Sequence, residues 1–171
     1  MELQLFGINH KTSKLSEREL FIINDSNQDD FINFFREEFG YFVESFFALS
    51  TCNRTEIYYF GEPETSLLIA QKTLEFLGCD DYVRDSLYFF DDKAAIEHMC
   101  CVASGLDSQV LGEQEILGQF KKSVQNYTKL GLLNKQLLKA TDEIISIAKA
   151  ARTETKVGYN PLSVSGLSLK I

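Results

Sequence analysis

The sequence predicts an α+β fold: an antiparallel sheet interleaved with helices, followed by a helical region. Two observations carry this. Strand-like and helix-like runs succeed one another as β, α, β, β, α, β up to about residue 90. From Asp92 onward the apolar residues recur only at three- and four-residue spacing.

Residues 2–8 alternate, with Leu3, Leu5, Phe6 and Ile8, and read as a strand. Residues 9–14 are polar and loop-like, and 15–23 read as a short helix. Asn27 is placed to cap a helix over 28–39, with Asp30 three residues on and Gly40 at its end. Phe31, Phe34, Phe35 and Phe39 give that helix an apolar stripe. Two β-rich runs, 42–50 and 55–60, flank Thr51-Cys52-Asn53-Arg54 and read as a hairpin or as neighbouring strands. Glu62-Pro63 opens a helix over 64–77 closed by Gly78, and 86–90 read as a strand. This order is the split βαβ, ferredoxin-like arrangement. Its helices cover one face of the sheet and leave the other to a partner or to more of the chain.

Asp92 is placed to cap a helix over 93–103. A second helix runs from 108 or 112 to 130, with Ile116, Phe120, Val124 and Tyr127 on one face and Gly131 after it. A third, over 134–157, repeats Leu137, Thr141, Ile144, Ala148 and Ala151, and serves either as a packed helix or as a spacer leading away from the domain. Residues 158–165 break the helix, and 166–171 open a new apolar pattern that stops as it starts, as expected of a piece of a longer chain.

Composition narrows the function. The 171 residues suit one domain, and 44% hydrophobic with 25% charged residues is ordinary for a globular protein. Fourteen Phe and seven Tyr with no Trp imply an aromatic core. A net charge of -8 argues against nucleic acid or an anionic membrane docking over the whole surface, but leaves room for a local basic patch. No stretch approaches the roughly 20 apolar residues of a membrane span. Met1-Glu2-Leu3-Gln4-Leu5 lacks the basic start of a signal peptide. The expected location is cytoplasmic, with reduced cysteines.

Cys52, Cys79, Cys100 and Cys101 have no zinc-type spacing, so no metal is expected. Cys52 lies in a loop between two strands, a common place for a reactive group. A cation near a thiol raises its thiolate share, and Arg54 is two residues on. The plainer reading is a small buried hydrophobe. Cys79 precedes two aspartates, poor surroundings for a nucleophile. Cys100 and Cys101 are adjacent in a helix, where at least one packs in the core. His98, in Glu97-His98-Met99, reads as structural or as an acid–base group, and His10 follows the first strand. The residues alone do not choose between them as a partner for Cys52. Finally, residues 103–119 hold three glycines, Gly105, Gly112 and Gly118, in an otherwise helical region. They suggest close backbone approach, with Ser, Glu and Gln around it; a plain turn is the alternative. Neither phosphate-binding glycine pattern is present.

Three segments together resemble the N-terminal catalytic domain of the glutamyl-tRNA reductases: Gly7-Ile8-Asn9-His10-Lys11-Thr12, then Leu49-Ser50-Thr51-Cys52-Asn53-Arg54-Thr55-Glu56-Ile57-Tyr58, then Val102 to Gln119. The resemblance implies NADPH-dependent reduction of glutamyl-tRNA to glutamate-1-semialdehyde, the first step of five-carbon tetrapyrrole (porphyrin) biosynthesis. In it, Cys52 attacks the ester carbonyl and a thioester forms. It also implies that Thr51, Asn53 and Arg54 bind the glutamate, with Arg54 on its side-chain carboxylate. Ser108, Glu113, Gln114, Glu115 and Gln119 match the other glutamate-binding positions. His98 matches a histidine at the reacting carbonyl, and His10 a histidine of the first motif. One departure stands out: the family's Glu-Pro-Gln is here Glu113-Gln114-Glu115. By the same resemblance, 1–157 form the catalytic domain and 158–171 begin the connection to an NADPH-binding domain absent from this chain. A helical dimerisation domain beyond it would make a homodimer. Two other classes stay open: a non-catalytic binding module on the same scaffold, and a cysteine hydrolase that passes its acyl group to water.

Overall fold

The computed structural model describes residues 1–155; residues 156–157 of the helix expected over 134–157, and the segment 158–171 expected to follow it, lie outside the described residues. The elements are β1 (Glu2–Asn9), α1 (Leu15–Leu20), α2 (Gln28–Phe39), β2 (Val43–Ser50), β3 (Arg54–Gly61), α3 (Ser66–Leu77), α4 (Asp80–Val83), β4 (Tyr88–Asp91), α5 (Asp92–Ala103), α6 (Glu115–Lys129) and α7 (Lys135–Glu154). All strand pairs are antiparallel, in the order β2-β3-β1-β4. This is the ferredoxin-like sheet, followed by a helical subdomain and a long last helix.

The helical subdomain takes the face that the sheet's own helices leave open. On one face, Phe35 of α2 packs on Phe46 and Tyr59, with ring centroids 4.5 and 6.4 Å apart. On the other, Phe120 of α6 meets Phe47, which stacks on Tyr58 at 4.8 Å. β1 is therefore buried along seven of its eight residues. The alternation over 2–8 thus marks two covered faces, not one wet and one dry. α7 packs on α5 and α6, so it is a packed helix and not a spacer.

Several local expectations shift. Asn27 does not cap α2 through its side chain. It ties down the incoming loop instead, accepting from Asn24 N at 2.8 Å and donating to Ile22 O at 2.9 Å. The first helix ends at Leu20, because Ile23 is drawn to the sheet by Ser50 Oγ. α5 already includes Asp92, and Asp91 is its cap residue. α6 starts at Glu115, since Gly105 and Gly112 both take positive φ, +80° and +76°, and break the chain into a loop. The short α4 has no sequence counterpart above; an Asp80–Arg84 pair at 2.7 Å sits on it.

Candidate active site

Strand alternation gathers Arg54, Glu56 and Tyr58 on one face of β3, the face toward α5. The register sets Asn9 opposite Arg54 and Gly7 opposite both Glu56 and Tyr88. Gly7 is needed there: a Cβ would lie 2.9 Å from Glu56 Cα and Cγ and would overlap the Thr55 carbonyl. Without a side chain in between, the Glu56 carboxylate becomes the hub of a network. Tyr58 and Tyr88 donate their hydroxyls to it. His98 Nε2 reaches Oε1 at 2.5 Å and Arg54 Nη1 reaches the same oxygen at 3.0 Å. Arg54 Nη2 then donates to the Asp107 carbonyl at 2.7 Å and its carboxylate at 3.0 Å, and Lys11 Nζ closes on Asp107 at 2.6 Å. The line Lys11–Asp107–Arg54–Glu56–His98 joins two loops, strand β3 and helix α5.

The electrostatics follow from burial and pairing. Burial alone would raise the Glu56 pKa. The hydrogen bond from His98 and the charge of Arg54 outweigh it and hold the carboxyl down at about 2. Burial pulls the Arg54 guanidinium down, but Glu56 more than restores it, so it stays charged. Burial, and then the Glu56 charge, push both tyrosine hydroxyls up, so they remain donors. An ionised carboxylate only accepts, so His98 donates from Nε2, and in the neutral ring the lone pair is on Nδ1. His98 also stacks on Phe90 at 4.7 Å.

Above this network the β2–β3 hairpin turns through Thr51, Cys52 and Asn53, closed by Thr51 N to Arg54 O at 2.7 Å. Arg18 of α1 donates to the Cys52 carbonyl at 3.2 Å, and His10 N to the Asn53 carbonyl at 2.9 Å. The Cys52 side chain is exposed at the tip. It is not the small buried hydrophobe of the plainer reading. Arg54, in contrast, is only 2% exposed and already neutralised by Glu56 and Asp107. It braces the turn from below and is not the free cation that its place two residues on suggests.

The pocket beside Cys52 is lined by Thr51, Asn53, Arg54, Ser108, Glu113, Glu115 and Gln119, with Ile116 as its apolar wall. Seven predicted binding residues thus meet around the thiol. Gln114, His98 and His10 do not line it. His10 stands behind the turn, its buried Nδ1 without a hydrogen-bond partner among the described residues, and burial and Arg54 lower its pKa. The pocket is narrow: its cavity of about 20 Å³ holds roughly one water. Burial, and then Glu115, raise the Glu113 pKa. Glu115 begins α6, where the helix dipole favours an acid. Arg152 of α7 holds the Glu113 carbonyl, and the Gly112 N–H bonds Gly105 O at 3.0 Å.

Sequence reasoning missed Glu56, Tyr58, Tyr88, Asp107 and Arg152. Arg54 and Glu56 alternating in an otherwise apolar strand were a readable sign of a buried charged face; the partners on β4, α5 and the 104–114 loop had no local sign. Cys79 is buried, and burial followed by Asp80 raises its thiol pKa to about 11, in keeping with a poor nucleophile. Cys100 packs partly against the core. Among the described residues, no group of three or more His, Cys, Asp and Glu is placed to hold a metal. No described helix is long and apolar enough to cross a membrane.

A ferredoxin-like domain that presents one exposed thiol at a hairpin tip, beside a carboxylate-lined pocket and above a buried ion network, is the class that fold and site define. More particularly, the chain belongs to the family described as glutamyl-tRNAGlu reductase, N-terminal domain, which it matches over residues 6–155. It is similar to the solved structure of glutamyl-tRNA reductase from Methanopyrus kandleri, with 30% identity and a TM-score of 0.77. That match covers 98% of this chain and 38% of the other, so the chain spans well under half the length of that relative.

Proposed function

We propose that this domain forms the covalent intermediate of glutamyl-tRNA reduction, the step that opens tetrapyrrole biosynthesis. The observation that carries the reading is the exposure of Cys52 beside a pocket lined by Thr51, Asn53, Arg54, Ser108, Glu113, Glu115 and Gln119, the positions expected from the resemblance to bind glutamate. The Cys52 thiolate attacks the ester carbonyl of the glutamyl group. A C–S bond forms and the ester C–O bond breaks. The tRNA 3′-hydroxyl leaves with a proton, and a thioester remains. Glu113 and Glu115 face the glutamyl ammonium. Arg54, with its Nε–H and one Nη1–H beyond its three bonds, turns those donors toward the side-chain carboxylate. His98 lies outside the pocket and acts through Glu56, which it holds ionised beneath Arg54, as a positioning residue. A glutamyl group is larger than the cavity of about 20 Å³, so its binding requires the pocket to widen.

The described residues do not fit a nicotinamide dinucleotide, because no strand among them passes through a glycine-rich turn into a helix. In this reading NADPH and the reduction to glutamate-1-semialdehyde belong to a nucleotide-binding domain outside these residues, and no step is derived through it. Incubated with glutamyl-tRNA and no reductant, the protein should carry a glutamyl increment on Cys52 by peptide mass spectrometry. Cys52→Ser should lose it and keep the fold. An unchanged adduct yield refutes the assignment, and no adduct on the unaltered protein favours a binding module.

A further inference from the structure

α1 has little part in the core. None of its six residues is buried, and its leucines, Leu15 and Leu20, are exposed. A helix this short is not stable by itself. It is pinned through Glu17, whose carboxylate accepts from Lys14 N at 2.6 Å and from Ser86 Oγ at 2.5 Å. Phe21, fully buried, anchors the chain as it leaves. What such a helix offers the rest of the molecule is Arg18.

The Arg18 guanidinium bridges two turns. Its Nη1 donates to the Ser13 carbonyl at 2.8 Å, in the turn after β1, and its Nε to the Cys52 carbonyl at 3.2 Å. Ser13 is itself fixed, its N and Oγ both bonded to Asn9 O, at 3.0 and 2.7 Å. A planar fork holds two carbonyls at once, which an ammonium on a flexible stem does not. Arg18 also lacks a counter-charge: among the described residues it forms no ion pair, whereas Arg54 is paired with both Glu56 and Asp107. A positive charge with no carboxylate on it thus stands at the residue that carries the thiol. Thiolate attack moves negative charge from sulfur to the adjoining carbonyl oxygen, and a fixed cation favours charge at either place.

We propose that Arg18 is the positioning residue of the reactive thiol: it braces the Cys52 turn through its carbonyl and supplies the local positive charge that Arg54, already neutralised, does not. The inference rests on the reading of Cys52 as the acylated thiol and adds the group that sets it.

The test separates charge from brace. Iodoacetamide and iodoacetate are alike in size, but only the second is an anion. Their rates at Cys52, read by peptide mass spectrometry, give a ratio that a loosened turn alone does not move. Arg18→Gln should lower the iodoacetate-to-iodoacetamide ratio by about threefold, and Arg18→Lys should keep it. Arg18→Lys loses the fork, so the maximal rate of Cys52 acylation by glutamyl-tRNA should fall by about tenfold, with the half-saturating concentration within about twofold of the parent's. The buried Cys79 reports folding, since it stays unalkylated in an intact protein. A ratio unchanged in Arg18→Gln overturns the charge role and with it the proposal, as does Arg18→Lys acylating at the parental maximal rate. If the unaltered protein takes both reagents at Cys52 but no glutamyl group, the acyl-transfer reading fails, and the alkylation ratio still decides whether Arg18 is the cation of the thiol.

Discussion

The two faces of this one sheet are packed by opposite means. Toward α2 and α3 the contact is aromatic, with Phe35 at its centre between Phe31, Phe39, Phe46 and Tyr59. Toward α5 the sheet buries two charges, Arg54 and Glu56, with two tyrosines and a histidine around them. Apolar packing is tolerant of direction, and its energy follows area and fit. A buried ion network is stable only while every member is matched, and replacing it whole with apolar groups costs little. A polar face under the Cys52 turn is therefore poor evidence of a need for stability. It is good evidence of a need for position.

The sharpest way to break this comparison is to truncate each face at its centre. Phe35→Ala should cost about 4 kcal/mol of unfolding free energy through transfer and cavity losses. The folded fraction should still acylate Cys52 at the original rate. Urea denaturation and adduct kinetics measure the two effects separately, and a slowed acylation in the folded protein would show that the faces are not independent. Glu56→Gln should cost about 3 kcal/mol, because it leaves Arg54 buried with one counter-charge fewer. Unlike Phe35→Ala, it should also slow acylation, since His98 and Arg54 lose their common anchor. Acylation at the original rate would remove Glu56 from any positioning role.

The same contrast explains what could be read from the sequence. The apolar face was legible because Phe31, Phe34, Phe35 and Phe39 repeat at helical spacing and Gly40 stops the helix. The Cys52 turn was legible because two β-rich runs bracket four polar residues. The buried network was not. Asp107 lies 53 residues from Arg54, and His98 lies 42 from Glu56, so their meeting depends on the order of strands and on how α5 lands on the sheet. Arg54 illustrates the error that results. Near Cys52 in sequence, it reads as a cation for the thiol; strand alternation turns it below the turn, toward Glu56. The acidic total likewise left room for a basic stretch: residues 1–116 carry 22 acidic and 8 basic side chains, residues 117–171 carry 3 acidic and 9 basic ones.

A smaller probe works through the backbone. Gly7→Ala adds one methyl group on the polar face, opposite Glu56 and Tyr88, where no space exists. The cost should be about 2 kcal/mol of overpacking. Acylation should fall as well, because the carboxylate must shift. A variant as stable and as active as the parent would mean that β1 and β3 can part without disturbing the hub.

The mildest perturbation is acid. Glu56 is ionised in the fold down to about 2, against 4.5 for an ordinary glutamate. A carboxyl with a depressed folded pKa binds its proton more readily in the unfolded chain. Its stabilisation is thus fully present above about 4.5 and drains away as pH falls toward 2. Asp107 is depressed too, against burial, by Lys11 and Arg54, and adds to the same slope. Subtracting the Glu56→Gln curve from that of the parent isolates the Glu56 share. The difference in unfolding free energy should be flat above pH 5 and shrink steadily below 4.5. Parallel curves down to pH 3 would mean that the carboxylate is not held ionised by its neighbours. The polar face would then be a set of neutral hydrogen bonds, and the distinction between the two faces would be one of shape and not of charge.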